Sequence, residues 1–158
     1  HRQDLEEAAP VNLRELAESV TADHAALFEQ HGILCENLIP PAASTVGEPF
    51  LLRQALSNLL DNAIAFSPAG GRITLALESD GHAHTLIMRD QGSGIPDYAL
   101  PRVFERFYSL ARPATGQKST GLGLPFVKEV AKLHGGDIAL RNAPQHGTEA
   151  RLRLPARS

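Results

Sequence analysis

The sequence contains few of the residues from which redox and metal centres are usually built: one cysteine, one methionine and no tryptophan among 158 residues. A single cysteine excludes an intrachain disulfide and any cysteine metal cluster, so we assign Cys35 to packing. No stretch approaches the roughly 18 apolar residues that a membrane span requires, and the polar first residues do not form a signal peptide. A net charge of −3 provides no general attraction to nucleic acid or anionic membranes. We therefore expect a soluble segment that contacts neither.

The composition otherwise matches an ordinary globular domain, with 42% apolar and 21% charged residues. A chain of this length can bury a full core as one unit. Residues 1–10 are acidic and alanine-rich up to Pro10, which is typical of a linker or of the end of a preceding dimerisation helix. We therefore predict a boundary near Pro10 and one folded domain over residues 11–158.

Apolar residues recur at helical spacing after Asn12 and stop at Gly32, which predicts one amphipathic helix capped by Asn12. Further helices are predicted to begin near Pro49 and to cover residues 96–102 and 125–134. Strands are predicted over residues 33–39, 72–78, 85–89, 137–141 and 148–154, with a short return at 44–47. His24 and His31 have no consistent set of neighbouring ligands, so we expect no metal site there.

The helix after Pro49 carries two asparagines, Asn58 and Asn62, four residues apart beside its apolar face. Asparagine is a mediocre helix former and is costly to bury without a partner. Two interpretations follow equally from this helix alone. Either the side-chain oxygens serve a cation or a ligand, or the amides are solvated or bonded to backbone.

The run Asp-Gln-Gly-Ser-Gly-Ile-Pro at residues 90–96 directly follows a predicted strand. The strand would hold the Asp90 carboxylate in place as an acceptor, and the two glycines would let backbone approach a flat ligand. Taken alone, however, such a run is more often an ordinary turn. The loop is therefore a candidate ligand site that other parts of the chain have to support.

A second loop, Gly121-Leu122-Gly123, opens a helix, an arrangement that binds phosphate through unpaired amides. It is not a P-loop, which needs Lys and then Ser or Thr after the glycine. It is not a dinucleotide fingerprint either, because Phe126 occupies the place of the third glycine. Residues 109–120 before it lack apolar periodicity and contain small polar residues, which is typical of a mobile lid.

Five motifs of this chain resemble, in the same order, the sequence boxes of sensor histidine kinases. They are Asn58-Leu59-Leu60-Asp61-Asn62-Ala63, Asp90-Gln91-Gly92-Ser93-Gly94-Ile95, Phe104-Glu105-Arg106-Phe107-Tyr108, Gly121-Leu122-Gly123-Leu124 and Gly147-Thr148. The resemblance covers nearly the whole chain from about Pro10. It implies the catalytic, ATP-binding domain shared with the gyrase, HSP90 and MutL ATPases, the Bergerat or GHKL type. The implied fold is an α/β two-layer sandwich, with a mixed sheet covered on one face by about three helices and a lid over the nucleotide.

By this resemblance, Asp90 accepts a hydrogen bond from the adenine amino group, Gly92 and Gly94 give the base room, and Thr148 supports this end of the site. Asn62 holds Mg²⁺, and Asn58 assists at the ion or the phosphates. Backbone amides around Gly121 and Gly123 hold the phosphates, while Arg106 and Lys118 approach the terminal phosphate. The other residues expected around the nucleotide are Phe66, Ile95, Tyr108, Thr120, Leu122 and Leu124.

The residue at position 58 separates two classes of reaction. In the family's hydrolases a Glu that activates water stands at this position, four residues before the magnesium asparagine, whereas Asn58 cannot act as a general base. The resemblance therefore implies transfer of the γ-phosphate to a histidine instead of hydrolysis. The acceptor motif, His-Glu/Asp-Leu-Arg-x-Pro, does not occur here, so the chain is expected to be the catalytic half of a kinase, separated from its dimerisation and acceptor hairpin.

That assignment implies partners and a location. We expect the chain to bind ATP and ADP, to act on its own dimerisation and histidine-phosphotransfer domain, and to serve a cognate response regulator. The location implied is cytoplasmic, as the inner portion of a membrane sensor kinase. The isolated domain is expected to be a monomer, since it lacks the dimerising hairpin.

Two departures from the family pattern keep alternatives open. Ala65 and Phe66 stand where Lys or Arg and then Tyr are usual, and Ser109-Leu110 stands where a further basic residue is common. The alternatives are a serine kinase or hydrolase of the same fold, and a degenerate nucleotide-binding module that acts in docking.

Overall fold

One long helix, α3 (Pro49–Phe66), is the central helix of the computed structural model, which describes residues 8–108, 123–144 and 146–156. The Glu48 carboxylate caps its start by accepting hydrogen bonds from the backbone amides of Phe50 and Leu51. Pro49 occupies the first turn, where its missing N–H costs nothing. Seven apolar side chains of α3 are buried, namely Leu52, Ala55, Leu56, Leu59, Leu60, Ala63 and Ile64.

Within the described residues, three further α-helices and seven strands surround this helix. The other helices are α1 (Leu13–Asp23), α2 (Ala25–His31) and α4 (Gly123–Leu133). The strands are β1 (Ala9–Asn12), β2 (Leu34–Asn37), β3 (Ser44–Gly47), β4 (Arg72–Ser79), β5 (Ala83–Arg89), β6 (Asp137–Asn142) and β7 (Thr148–Pro155). Five of the strands form a sheet in the order β2-β4-β5-β7-β6, and β1 pairs with β3 in a separate antiparallel ribbon.

The sheet is mixed, because β2 runs parallel to β4 while the other three pairs are antiparallel. Its two faces differ sharply in polarity. Along β7, Ala150, Leu152 and Leu154 are buried in the same core as the apolar residues of α1, α3 and α4, while Glu149 and Arg151 alternate onto the opposite face. This arrangement confirms the predicted two-layer α/β sandwich. Within the described ranges, no helix combines the length and apolarity needed to cross a bilayer.

The prediction of one continuous helix from Asn12 to Gly32 is wrong, because α1 ends at Asp23 and α2 starts at Ala25. The buried His24 ring lies at the break. Its Nδ1 lies 2.8 Å from the carbonyl oxygen of Val20, the group that the His24 backbone amide would use in a continued helix. That amide instead bonds to Thr21, one residue closer in sequence. The predicted cap is confirmed, since the Asn12 side chain accepts a hydrogen bond from the Glu15 amide.

The predicted helix over residues 96–102 is also too long. Only Leu100–Arg102 forms a short 3-10 helix, after a turn in which the amides of Ala99 and Leu100 both bond to the Pro96 carbonyl. Pro101 has no amide hydrogen to continue an α-helical pattern, which explains why the segment stops at a single turn.

A buried carboxylate lies on the open face of the sheet, surrounded by arginines. Glu149 is 1% exposed, and its oxygens lie 2.6 Å from Arg89 Nε, 2.7 Å from Arg141 Nη2 and 2.9 Å from Arg151 Nη1. Burial by itself would raise the pKa of this carboxyl, but the hydrogen bonds from the three guanidinium groups outweigh it and lower the pKa from 4.5 to about 2. These contacts join β5, β6 and β7 across the face that the helices leave uncovered.

This network makes the stability of the domain depend on pH. The unfolded chain protonates Glu149 near pH 4.5 and the folded chain only near pH 2, so the stability that this group contributes is complete above pH 4.5 and is lost as the pH falls towards 2. We expect Glu149→Gln to lower the free energy of unfolding at pH 7 by about 2 kcal/mol, because the amide loses charge-assisted bonds from three arginines. Urea unfolding from pH 7 downwards measures both effects.

The deficit of the Glu149→Gln variant relative to the parent should shrink once the pH falls below 4.5. Glu29→Gln removes a negative charge from the exposed surface of α2 and should follow the parent at every pH. A Glu149→Gln deficit that stays constant down to the lowest pH at which the parent folds would contradict this account.

Candidate functional site

The predicted ligand loop begins at Asp90, directly after the last residue of β5. Asp90 is 8% exposed, and its backbone amide donates to the Thr148 carbonyl at 3.0 Å. Its Oδ1 accepts two further hydrogen bonds, from the Gly92 amide at 2.9 Å and from the Thr148 amide at 3.1 Å. No hydrogen bond from the described residues reaches Oδ2. One carboxylate oxygen therefore builds the loop, and the other is left for a ligand.

Burial raises the pKa of Asp90, and the two backbone hydrogen bonds only partly oppose that effect. A carboxylate held in such surroundings has lost much of its hydration. It is therefore a strong acceptor for a donor group that enters the site.

Close contacts within the protein require glycine at both glycine positions of this loop. A Cβ on Gly92 would overlap the backbone carbonyl oxygen of Phe66, at the end of α3. Gly94 has φ of +88°, and a Cβ there would lie 2.8 Å from the Asn142 Oδ1 atom. From the sequence, we attributed these two glycines to the room that a flat ligand needs. The close approach of α3 and of Asn142 is sufficient on its own, so the glycines are not independent evidence for a base.

Two side chains fix the rest of the loop, and one of them, Asn142, lies outside the motifs. Asn142, the last residue of β6, accepts from the Ile95 amide at 2.7 Å and donates to the Ile95 carbonyl at 2.9 Å. Gln91 Oε1 accepts from the Arg72 amide at 2.8 Å, which ties the loop to β4. Asn142 lies 47 residues from Ile95 in the chain, and no local sequence pattern indicates this contact.

Three residues predicted around the nucleotide lie on one face of α3. Asn58, Asn62 and Phe66 follow one another at intervals of four residues, and all three are half-buried. Phe66 lies against the loop at Gly92, while Asn58 Nδ2 donates to the Gly123 carbonyl at 3.2 Å. At a rise of about 1.5 Å per residue, the two contact points are separated by about 12 Å along the helix axis. This face of α3 therefore connects the Asp90 loop to the start of α4.

The two asparagines differ in their surroundings. Asn58 is held at both ends of its amide, since Gln54 Nε2 donates to its Oδ1 at 2.8 Å and its own Nδ2 bonds to Gly123. Gln54 lies one helical turn before Asn58, a spacing that could have indicated this contact. The Asn62 side chain makes no hydrogen bond to any described residue. Asn58 is thus an amide bonded to backbone, as one of our two interpretations held, and Asn62 keeps its oxygen for another partner.

Gly123 is the first residue of α4 and is exposed. A Cβ at this position would meet only Asn58 atoms at an ordinary 3.9 Å, in contrast to the crowded Gly92. No packing contact in the described structure therefore requires glycine here. The first amides of a helix lack intrahelical partners and favour an anion. The next predicted residue, Leu124, is half-buried against the core.

The other predicted site residues are only partly accounted for. The Arg106 guanidinium lies 5.7 Å from the centre of the Phe107 ring, and Phe107 is 70% exposed with a φ of 67°, which is strained for an aromatic residue. Tyr108 is half-buried and lies 4.4 Å beneath the guanidinium of Arg102. Lys118, Thr120, Gly121 and Leu122, together with the predicted lid at 109–120, lie outside the described residues.

The chemistry of the site is set by its donors and acceptors. At one end is a buried carboxylate whose Oδ2 accepts no hydrogen bond from the described residues, at the other is the first turn of α4, and between them are two amide side chains. Across the described ranges, no group of three or more His, Cys, Asp or Glu side chains is placed to hold a metal ion. His24, whose metal role we rejected, bonds to Asp61 at 2.8 Å. The site suits an elongated ligand with a hydrogen-bond donor at one end and an anion at the other.

Comparison with known sequences gives matches over most of the chain. Residues 47–158 match the family model described as histidine kinase-, DNA gyrase B-, and HSP90-like ATPase. Sensor protein CreC of Escherichia coli is 58% identical over 118 residues, which are 75% of this chain and 25% of CreC. Sensor protein QseC of Escherichia coli is 38% identical over 152 residues, 94% of this chain and 32% of QseC. The chain thus spans about a third or less of these relatives.

Solved structures show the same fold. The mycobacterial sensor histidine kinase MprB superposes with a TM-score of 0.80 at 31% identity, covering 95% of this chain and 98% of that one. The ATP binding domain of PrrB from Mycobacterium tuberculosis gives a TM-score of 0.77 at 30% identity, covering 97% of this chain and all of that one (100%). The similarity extends over nearly the full length of both structures.

The hydrogen bonds of Asp90 lead to a prediction about stability. Asp90→Asn keeps Oδ1 as the acceptor for Gly92 and Thr148, and it removes a charge that burial disfavours. Because burial raises the pKa of Asp90 above 3.8 in the folded chain, its ionised form costs stability at neutral pH. We therefore expect Asp90→Asn to be at least as stable as the parent at pH 7. Asp90→Ala leaves two buried amides without a partner and should be about 2 kcal/mol less stable.

Urea unfolding of the three proteins at pH 7 makes this comparison. If the asparagine variant loses as much stability as the alanine variant, Oδ1 does not carry the structural role assigned to it.

Proposed function

The chain belongs to the histidine kinase-, DNA gyrase B-, and HSP90-like ATPase family, and on that premise we propose that it is the ATP-binding catalytic domain of a sensor histidine kinase. It transfers the γ-phosphate of Mg-ATP to a histidine on a dimerisation hairpin. The observation that carries the proposal is the face of α3 described above. That face contacts the Asp90 loop at Gly92 through Phe66, and it contacts the first residue of α4 through Asn58.

Recognition of adenine takes place at the Asp90 end. The free Oδ2 accepts a hydrogen bond from the exocyclic amino group of the base, which is a donor. Oδ1 cannot take part, because the Gly92 and Thr148 amides occupy it. The half-buried Ile95 and Phe66 supply apolar surface for the faces of the ring. A guanine base, which presents a carbonyl oxygen at the same position, would face the carboxylate with a second acceptor and would be rejected.

A magnesium ion fits the amide groups on α3. Mg²⁺ prefers oxygen ligands, and a neutral amide adds no negative charge to a site that already receives phosphates. Asn62 would hold the ion through its unpaired oxygen, and the Asn58 oxygen, which already accepts from Gln54, has one lone pair left to assist. When bound, Mg²⁺ supplies charge neutralisation on the phosphates.

The phosphate end is formed by the start of α4. We assign the phosphate contacts to the backbone amides around Gly121, Leu122 and Gly123, with Thr120 and Leu124 flanking them. Arg106 and Lys118 are proposed to approach the terminal phosphate as point charges. Tyr108 is proposed to line the site beside the lid at 109–120. The support for this end is the position of Gly123, which is exposed and lies in the first turn of α4 beside Asn58.

Transfer is favoured over hydrolysis by the side chains on α3. The only acidic residue of this helix, Asp61, is bonded to His24. Asn58, at the position where a hydrolase carries its general base, is an amide held by Gln54 and Gly123. The Asn58 amide cannot take a proton from water. A histidine acceptor needs no such base, because its unprotonated ring nitrogen forms the bond to phosphorus directly while the bond to the bridging oxygen breaks and ADP leaves.

The partners follow from this reaction. The acceptor is the chain's own dimerisation hairpin, and a cognate response regulator receives the phosphoryl group on an aspartate. The location proposed is the cytoplasmic side of the membrane, where ATP is present, and the isolated domain is proposed to be a monomer. The sensor proteins and sensor histidine kinase among the relatives support this proposal over a serine kinase or a docking module.

Phosphoryl transfer can be tested with the acceptor supplied in trans. Incubated with ATP labelled at the γ-phosphate, with Mg²⁺ and a purified acceptor hairpin of a sensor histidine kinase, the chain should produce acid-labile, base-stable label on the hairpin. Asp90→Asn should keep its fold and lose both ATP binding and labelling, because it presents a donor to the adenine amino group. A hairpin with its histidine replaced by alanine is the negative control. Acid-stable label on serine would exclude the histidine kinase assignment.

The role of Asn62 can be separated from that of the adenine end. Calorimetry of ATP with Mg²⁺ and with EDTA measures the contribution of the ion to the affinity. We expect Asn62→Ala to reduce the gain in ATP affinity that Mg²⁺ provides by about tenfold or more. The affinity in EDTA should stay unchanged, because the amide contacts only the ion. Asn37→Ala, which removes an amide at the end of β2, should behave like the parent. A full magnesium effect in Asn62→Ala would rule out this ligand.

A further inference from the structure

The loop at residues 90–96 is held differently at its two halves. The first half is fixed by buried groups, the Asp90 carboxylate and the carbonyl of Phe66. The second half is half-buried or exposed, and among the described residues the only hydrogen bonds to the peptide groups of residues 93–95 come from Asn142. One side chain therefore sets the shape of the second half.

The contact has the geometry of a peptide pair. The Asn142 amide accepts from the Ile95 N–H at 2.7 Å and donates to the Ile95 C=O at 2.9 Å, so it satisfies both polar groups of one residue. Its Oδ1 also lies only 2.8 Å from the position that a Cβ on Gly94 would take, which leaves the side chain and the loop little freedom to shift. Asn142 is itself fixed, because it is the last residue of β6 and pairs with Thr148, the residue bonded to Asp90.

We propose that Asn142 is a positioning residue for nucleotide binding, which holds the second half of the loop in the shape that receives the base. This inference rests on the proposed function, since it concerns the adenine end of the same site. Asn142 is exposed and contacts the loop backbone instead of the ligand. Its effect is preorganisation. Without it, the loop samples other shapes, and the affinity falls in proportion to the fraction of molecules that keep the binding shape.

The chain offers a matched control for this residue. Asn37 is the last residue of β2, the strand at the opposite edge of the sheet. Like Asn142, it makes two bonds to backbone, donating to the Arg14 carbonyl at 3.2 Å and accepting from the Ile39 amide at 3.1 Å. Neither bond involves the nucleotide loop. Asn37→Ala and Asn142→Ala therefore remove equivalent interactions in different places.

The experiment is calorimetric titration of the parent and both variants with ATP, ADP and adenosine. Asn142→Ala should raise the Kd for all three ligands by a similar factor, about tenfold, because the loss is at the end of the site that they share. Amide hydrogen exchange followed by NMR should show faster exchange at Ile95 in this variant. Asn37→Ala should leave all three affinities within about twofold of the parent.

Each possible result is decisive. Unchanged affinities in Asn142→Ala would overturn the inference, as would an equal loss in Asn37→Ala, which would indicate a general effect of stability. A loss for ATP that spares adenosine would place the effect at the phosphates and would overturn it as well. A parent chain that binds none of the three ligands would overturn the proposed function itself, an outcome distinct from the others.

Discussion

The two oxygens of the Asp90 carboxylate have different partners, and the rest of the site depends on this difference. A carboxylate this deeply buried needs partners, and the amides of Gly92 and Thr148 supply them to one oxygen. Those two bonds join the end of β5 to the start of β7 and fold the following loop back towards α3. The second oxygen is left as an acceptor in a site of low hydration. The same side chain thus builds the loop and, in the proposed function, recognises the ligand.

The helix α3 gives the site its length and direction. Its buried face forms the core with the sheet, so the helix cannot move without disrupting the fold. Its neighbouring face contacts the loop through Phe66 and the start of α4 through Asn58. On the other side of the sheet, Glu149 and its three arginines join β5, β6 and β7 next to Thr148. The Asp90 loop therefore follows a part of the sheet that is held from both faces.

Much of this was predictable from the sequence. Hydrophobic spacing predicts helix α3 and the order of the strands along the chain. Local residue types mark the motifs at Asn58, Asp90 and Gly123. The break at His24 did not follow, because an apolar position in a helical pattern does not reveal that the ring will bond to Val20 and Asp61. The close approach of the Phe66 carbonyl to Gly92 did not follow from the sequence either, and the room that Gly92 would give a base stays a prediction.

The sequence by itself determined which residues could carry the chemistry, because acceptors, amides and glycines are properties of residue type and of spacing within one element. Only the tertiary structure decided what those residues do. It bonded Asn58 to Gly123, left Asn62 without a partner among the described residues, and placed Asn142 on Ile95. The physical reason is the direction of hydrogen bonds. A bond of about 3 Å requires its two atoms to meet at a set distance and angle, and for residues 47 or 65 apart only the packing of the whole sheet and its helices can bring that about.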